Sequence, residues 1–396
     1  MTVRVSARAL LGLSVAAFLV VADLHVALEW RWQAVRLALL GVAMLAAAAV
    51  LAARPRALGA LVRFPLVFFT IFAAIDVVAS VVSTHPVASL RYAVGLLAVE
   101  AVAVAAAEAF SPPKLVSGLM ATVAVKIAIS VAVAGSSDAS WSGSRFMGVL
   151  GSPNPMGATA GLGLLLIVLH GWYHWPRTPA RVALAAAGLV ASIALAATRS
   201  ASAMVGTLVA LFALIPVSGA RRANERERLA WMLTAVALLL PLIAVAGGIG
   251  VAPARISTPT ESIDLRMGWW GMLIQAISHQ PWLGYGADGT RLLGLPGTPP
   301  WGTSAHNLYL EAAVWAGIPA ATAMALFVLG LVAAMMRRAR LDRAAGVGLA
   351  VPVLLYAALS LVEPILLNAA PSTLVVTLVV AAASGADAPP RARAGA

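Results

Sequence analysis

The sequence predicts an all-α fold: a polytopic membrane bundle of about twelve transmembrane helices with a long outer loop containing an amphipathic helix. Three observations predict it. Of 396 residues, 61% are hydrophobic and 11% charged, with a mean hydropathy of +0.94, more apolar surface than a soluble domain can hide. Apolar runs of membrane length recur along the chain. The basic residues then sort to two sides of those runs. There is no cysteine, which excludes a disulfide framework, a thiolate zinc site and a cysteine nucleophile. The net charge of +12 reports topology here before it reports nucleic acid, and no nucleic-acid partner is expected.

The runs fall near 9–28, 35–53, 64–83, 89–110, 115–134, 156–175, 181–198, 200–217, 229–250, 306–336, 346–366 and 370–385. The opening MTVRVSARALLGLSVAAFLVVA has the basic and apolar regions of a signal peptide but no clear small-residue cleavage site, so it is expected to stay as the first span. Pro364 and Pro371 interrupt the last two runs. With both termini cytoplasmic, eighteen Lys and Arg fall inside and eight outside, leaving Lys126 within a span. The runs GARRANERER and RRARLDR both fall inside, as the positive-inside rule requires. Residues 1–396 are thus expected to form a single membrane domain. Its outer loop covers 251–305, between spans nine and ten, and a disordered cytoplasmic tail covers 386–396.

Topology does not require the outer arginines. Arg31 and Arg36 flank EWRWQ as interfacial anchors. Arg91, in ASLRYAVG, starts a span; Arg145 precedes the turn GSPNPMG; Arg199 lies in the short turn ATRSASAM; Arg266 lies in IDLRMGWW. Singly, each reads as a snorkelling side chain. Together they imply a basic cavity open to the outer face. The arginine fork donates two parallel hydrogen bonds and stays charged, which suits phosphate. Few carboxylates lie on that side, so no metal and no cofactor is expected.

The loop reads as a helix from about 263 to 279, with Ser262 or Thr260 as its cap and Asp264 in its first turn. Leu265, Trp269, Leu273 and Ile277 form one stripe, with Arg266 and Trp270 on the next. The helix either lies on the membrane or roofs the cavity and aims Arg266 into it. HQPWLGYG ends it. TSAHNLYLEAAVWAGIPA follows. By residue type alone, His306 reads as a helix-start histidine bonded to a carbonyl. Asn307 reads as a cap or an orienting partner. Glu311 sits about 140° round the helix from His306 and is open between a substrate bond and packing. Asp76, Glu100, Lys126 and Glu363 are ionisable groups within predicted spans, which at such depth face the interior and pair. Lys126 with Glu100 is the pairing expected from adjacent spans.

Four stretches in order, SRFMGVLGSPNPMGATAGLGLLL, TRSASAMVGTLVAL, RMGWWGMLIQAISHQPWLGYGADG and SAHNLYLEAAVWAGIPAA, resemble the O-antigen ligase/polymerase superfamily over roughly residues 140–335. The resemblance implies a glycosyltransferase of the bacterial inner membrane with its active site on the periplasmic face. It implies a metal-independent, inverting transfer of a glycan from undecaprenyl pyrophosphate to a hydroxyl of a lipid or glycan acceptor. Membrane lipids complete the expected partners. It assigns the base to His306 and phosphate binding to Arg145, Arg199 and Arg266, to which Arg91 is added by position. Asn307 and Glu311 are supporting. Two positions depart from the family pattern: its SR turn reads TRS here, and a frequent acid before the glycine is Ala316. Ligase and polymerase share these motifs. A transporter of an anionic solute or lipid-linked sugar would use the same arginines differently, although no inverted repeat marks one.

Overall fold

The computed structural model describes residues 6–21, 29–135, 140–142, 145–174, 178–218, 259–287, 289–293, 304–341, 343–364, 366–367 and 374–377. In chain order the helices are α1 (Ala7–Val21), α2 (Glu29–Ala53), α3 (Leu66–Val81), α4 (Pro86–Ala109), α5 (Pro112–Ala134), α6 (Pro153–His174), α7 (Thr178–Thr198), α8 (Ala201–Ser218), α9 (Pro259–His279), α10 (Leu308–Leu341) and α11 (Arg343–Leu359). A 3-10 turn, Pro55–Ala60, joins α2 to α3, and a single turn, Gly289–Leu292, precedes α10. Among the described residues, three helices are long and apolar enough to cross a membrane: Pro86–Ala109, Pro112–Ala134 and Leu308–Arg338. Seven shorter apolar helices are also present among the described residues. The chain is a helical membrane protein. The span expected at 229–250, most of that at 370–385 and the tail at 386–396 lie outside the described residues.

The structure is mostly helical, with one small β element. Trp141–Ser142 and Arg145–Phe146 pair as a minimal antiparallel hairpin, β1 and β2, with Trp141 opposite Phe146. The two rings lie 5.2 Å apart and Phe146 is buried. That anchor leaves Arg145 on the other face of the two-residue strand, because alternate residues point oppositely.

Three packings position the site. The first uses small residues. Gly157 and Gly161 on α6 face Ala203 and Thr207 on α8, four apart on each helix and so on one stripe. Without side chains the backbones approach closely, which in lipid is where helix association gains its dispersion energy. This brings the N-terminus of α6 beside the N-terminus of α8. The second surrounds α10, which packs on α3, α11 and α9. Helix α10 is broken at Ala316 and Gly317, where φ is −137° and +82°. Pro319 has no N–H for the Trp315 carbonyl, and Ile318 donates instead to Pro281 O at 2.8 Å. The carbonyls of Val314 and Trp315 thus freed accept from Tyr285 and Gly286, each at 2.8 Å. Buried backbone is thereby satisfied across the break. A Cβ at Gly317 would meet the Trp282 backbone.

The third packing is the loop helix. Helix α9 starts at Pro259, earlier than expected, so Thr260 and Ser262 lie in its first turn rather than capping it; proline suits a first helical position. Leu273 and Ile277 pack with Ala305, Ala313 and Val314. Trp270 Nε1 donates to Ala305 O at 2.7 Å. The helix docks on the bundle through these contacts, none of its residues lines the cavity that holds His306, and its Met267, Met272 and Ile274 stay exposed.

Helix α11 also stops short of its predicted run, at Leu359. Pro364 disfavours helix at the residue before it. Residues 360–363 form a turn in which Val362 and Glu363 both donate to Leu359 O, at 2.9 and 2.8 Å. Glu363 is therefore a turn residue at the end of the bundle and not inside a span. The expected Lys126–Glu100 pairing is replaced as well. Glu100 takes a 2.6 Å hydrogen bond from Thr70 on α3, while α1 packs against both α4 and α5 and Lys126 lines a cavity beside α6.

Gly161→Val should lower the thermal midpoint of the purified protein by an amount equivalent to about 1–3 kcal/mol, because the new methyls meet Thr207. Gly268→Ala, where a Cβ meets nothing, should leave the midpoint unchanged or raised.

Candidate active site

The site forms at one end of the bundle from five separate parts of the chain. Its hub is the Glu363 carboxylate. Oε2 lies 3.2 Å from His306 Nδ1. Oε1 accepts from Asn154 Nδ2 at 2.6 Å and lies 3.6 Å from Arg266 Nη2. Arg266 Nη1 also donates to Val362 O at 3.4 Å. Asn154, in the first turn of α6, accepts through Oδ1 from Arg145 Nη2 at 3.3 Å and from Ser200 Oγ at 2.9 Å. Arg145 Nε donates to Thr198 O at 3.1 Å. Burial lowers the Arg145 guanidinium from its ordinary pKa; nearby Glu363 opposes that shift and nearby Arg266 adds to it.

His306 has a φ of +48°, as does Arg199, and these are the two non-glycine residues with positive φ among the described residues. A side chain in that region costs about 1 kcal/mol or more and is retained where its surroundings impose it. Asn307 imposes it from one side. Its Oδ1 accepts from the N–H groups of Tyr309 and Leu310, both at 3.0 Å, and its Nδ2 donates to Leu361 O at 3.0 Å. The capping expectation for Asn307 therefore holds, and the same amide ties α10 to the Glu363 turn. Leu308 N donates to Ser360 O at 2.9 Å, a second tie.

Glu311 imposes the conformation from below. It is buried and accepts from Ala305 N at 2.5 Å, Trp315 Nε1 at 3.1 Å, Ser304 Oγ at 3.4 Å and Thr290 Oγ1. Of its two expected roles, packing is the one occupied. The His306 ring lies near-parallel to Trp269, at 19° with centroids 6.0 Å apart. It shares a cavity of about 250 Å³ with Asn154, Ser202 and Glu363.

Arg145, Arg266, His306 and Asn307 thus converge as expected, and Arg199 lies between Thr198 and Ser200, both bonded into the same network. Arg91 does not join them. It is exposed, with its guanidinium 5.4 Å from the Tyr92 ring. Glu363, Asn154 and Ser200 were not singled out as site residues by the motifs. The cue for Glu363 is its neighbour Pro364, which removes it from the span.

These features define a class: a helical membrane protein with a strained histidine, a carboxylate and clustered arginines at one bundle end. Residues 186–325 match the family model described as O-antigen ligase, which supports the resemblance to the O-antigen ligase/polymerase superfamily over that segment. The match holds Arg199, Arg266, His306, Asn307 and Glu311; Arg145, Asn154 and Glu363 lie outside it. A comparison with curated proteins returned no match.

Glu311→Ala should destabilise the protein by more than a typical surface change. It strips the partner from the buried Ala305 N–H, about 1–3 kcal/mol when left unsatisfied, and takes one of two acceptors from Trp315 Nε1, which keeps Thr290 Oγ1 at 3.3 Å. Thermal unfolding of the purified variant measures it.

Proposed function

We propose that the protein transfers a glycan from undecaprenyl pyrophosphate to a hydroxyl of a lipid or glycan acceptor, with inversion and without a metal. The observation that carries this reading is His306 bonded to Glu363 at 3.2 Å on the wall of a cavity, with Arg266 on the same carboxylate.

With Nδ1–H donating to Glu363, the imidazole presents Nε2 as an acceptor to the cavity. Nε2 takes the acceptor hydroxyl's proton as its oxygen bonds to the anomeric carbon. The bond from that carbon to the pyrophosphate oxygen breaks on the opposite face. Its electron pair stays on the leaving pyrophosphate, and the sugar's configuration inverts. Glu363 stabilises the charge that arrives on the imidazole. Arg145, Arg199 and Arg266 stabilise the charge that develops on the leaving group, as pre-oriented donors do without further reorganisation. Among the described residues, the carboxylate at the centre of the site already serves three protein groups, and the arginines carry the phosphate charge in this reading.

We place this site on the periplasmic face of the bacterial inner membrane, with both termini cytoplasmic. Support comes from the turn carrying Arg54, Arg56 and Arg63. It packs toward the far end of α10, where Gly330 meets Pro65 and Phe64.

His306→Ala should lower transfer by about 10²–10⁴-fold while the protein still binds donor. Glu363→Gln should lower kcat about tenfold or more with a smaller change in KM. Arg145→Lys or Arg266→Lys should also be damaging, because lysine lacks the fork. The assay is purified protein with lipid-pyrophosphate donor and acceptor; solute accumulation in vesicles without product would overturn the reading in favour of a transporter. Since the chain has no cysteine, orientation is testable by single-cysteine labelling. Thr298→Cys should react with an impermeant maleimide in spheroplasts, and Ala220→Cys only after permeabilisation.

A further inference from the structure

We propose that Lys126 binds the lipid-proximal phosphate of the donor, whose isoprenoid chain then runs inside the bundle between α1 and α5. This rests on the glycosyl-transfer reading of the same cavity.

Lys126 lies on α5, is 5% exposed and lines the cavity that holds His306, Asn154 and Glu363. An ammonium at such depth is costly and marks a path for a charged group. Its position is the informative part. Toward the site the polar lining includes Glu363, His306, Asn154, Ser202 and Ser304; along α5 toward Lys114 the wall continues through Val123, Thr122 and Leu119, with Leu19 of α1 also lining it. Lys126 stands at that change from polar to apolar.

A second cavity, of about 280 Å³, continues from the first. The two share Leu19, Leu119, Thr122 and Val375. The second is walled by Val15, Phe110 and Leu115 and ends at Lys114. From Lys126 to Lys114 the helix rises about 18 Å. A ligand that fills this space needs an anionic head near Lys126, a long apolar chain beyond it, and a reacting centre at the mouth.

A polyprenyl pyrophosphate has those parts in that order. The bond to be broken lies at the sugar-side phosphate, which falls to Arg266 and Arg145, held beside the cavity through Glu363 and Asn154; the lipid-side phosphate falls to Lys126. A lysine suits the inner position, because a single phosphate flanked by hydrocarbon needs a compact point charge and not a fork. An acyl chain of a lipid acceptor would enter the same apolar space. It would not place a phosphate between the reacting centre and the chain.

The test is binding of geranylgeranyl pyrophosphate and of isopentenyl pyrophosphate to purified protein in detergent, measured by calorimetry. Lys126→Met should weaken geranylgeranyl pyrophosphate about ten- to hundredfold, the worth of a charged hydrogen bond, and Lys126→Arg should restore most of it. Leu119→Trp should weaken the long-chain ligand and spare the short one. Wild-type affinity in Lys126→Met overturns the assignment. Photo-crosslinking on the wild-type protein tests the chain path independently of any variant's folding. A benzophenone-tagged isoprenoid pyrophosphate should label Leu19 or Leu119; labelling confined to lipid-facing Leu13 and Val125, 67% and 44% exposed, overturns it. These readouts need no acceptor. Intact binding with no transfer by the wild type would therefore sink the glycosyl-transfer reading and leave this one standing.

Discussion

The Glu363 carboxylate holds the site together. Three elements that start far apart in the chain meet on it: the first turn of α6 through Asn154, the loop helix through Arg266, and the start of α10 through His306. In a partly dry environment a carboxylate is costly unless its lone pairs are used. Here both oxygens are used, so the desolvation cost of the acid is offset by the contacts that align the other groups. Asn154 extends the arrangement by accepting from Arg145 and Ser200 while donating to Glu363, a use of both ends of one amide.

A second carboxylate, Glu311, supports the first without reaching it. Its bonds to Ala305, Ser304, Trp315 and the turn at Thr290 lock the approach to His306 from inside the protein. Asn307 locks it from the outer side. Between them His306 is kept in a left-handed conformation that a histidine would not adopt unaided. Arg199 is held in the same conformation in its own turn. Strain at two candidate site residues, and at no other non-glycine position described, is consistent with positions retained for chemistry at a small cost in stability. The break in α10 contributes in the same way. Pro319 and Gly317 release two carbonyls that fasten the segment after α9 to the helix carrying Glu311.

Much of the fold was legible because membrane helices must satisfy their own backbone and so declare themselves as apolar runs. The run at 89–110 became Pro86–Ala109 and that at 115–134 became Pro112–Ala134. The misreadings have separate causes. Hydropathy does not report where a helix ends when the residues beyond it are themselves half-buried. Glu363 was placed within a span for that reason, and Arg91 was grouped with the site because it sits at a helix start on the expected side. The pairing of Lys126 with Glu100 assumed that consecutive helices touch, whereas α1 packs on both of theirs.

The sequence by itself determined the membrane class, the positions of most helices, and the residue types that can bind phosphate or take a proton, because these follow from local composition and ordered motifs. Only the tertiary structure decided which of those groups act together. The meeting of Glu363 with His306, Arg266 and Asn154 depends on helix packing, on the α6–α8 glycine contact and on a proline-ended turn. Such contacts join residues up to 209 positions apart, and no local pattern in the chain encodes that proximity.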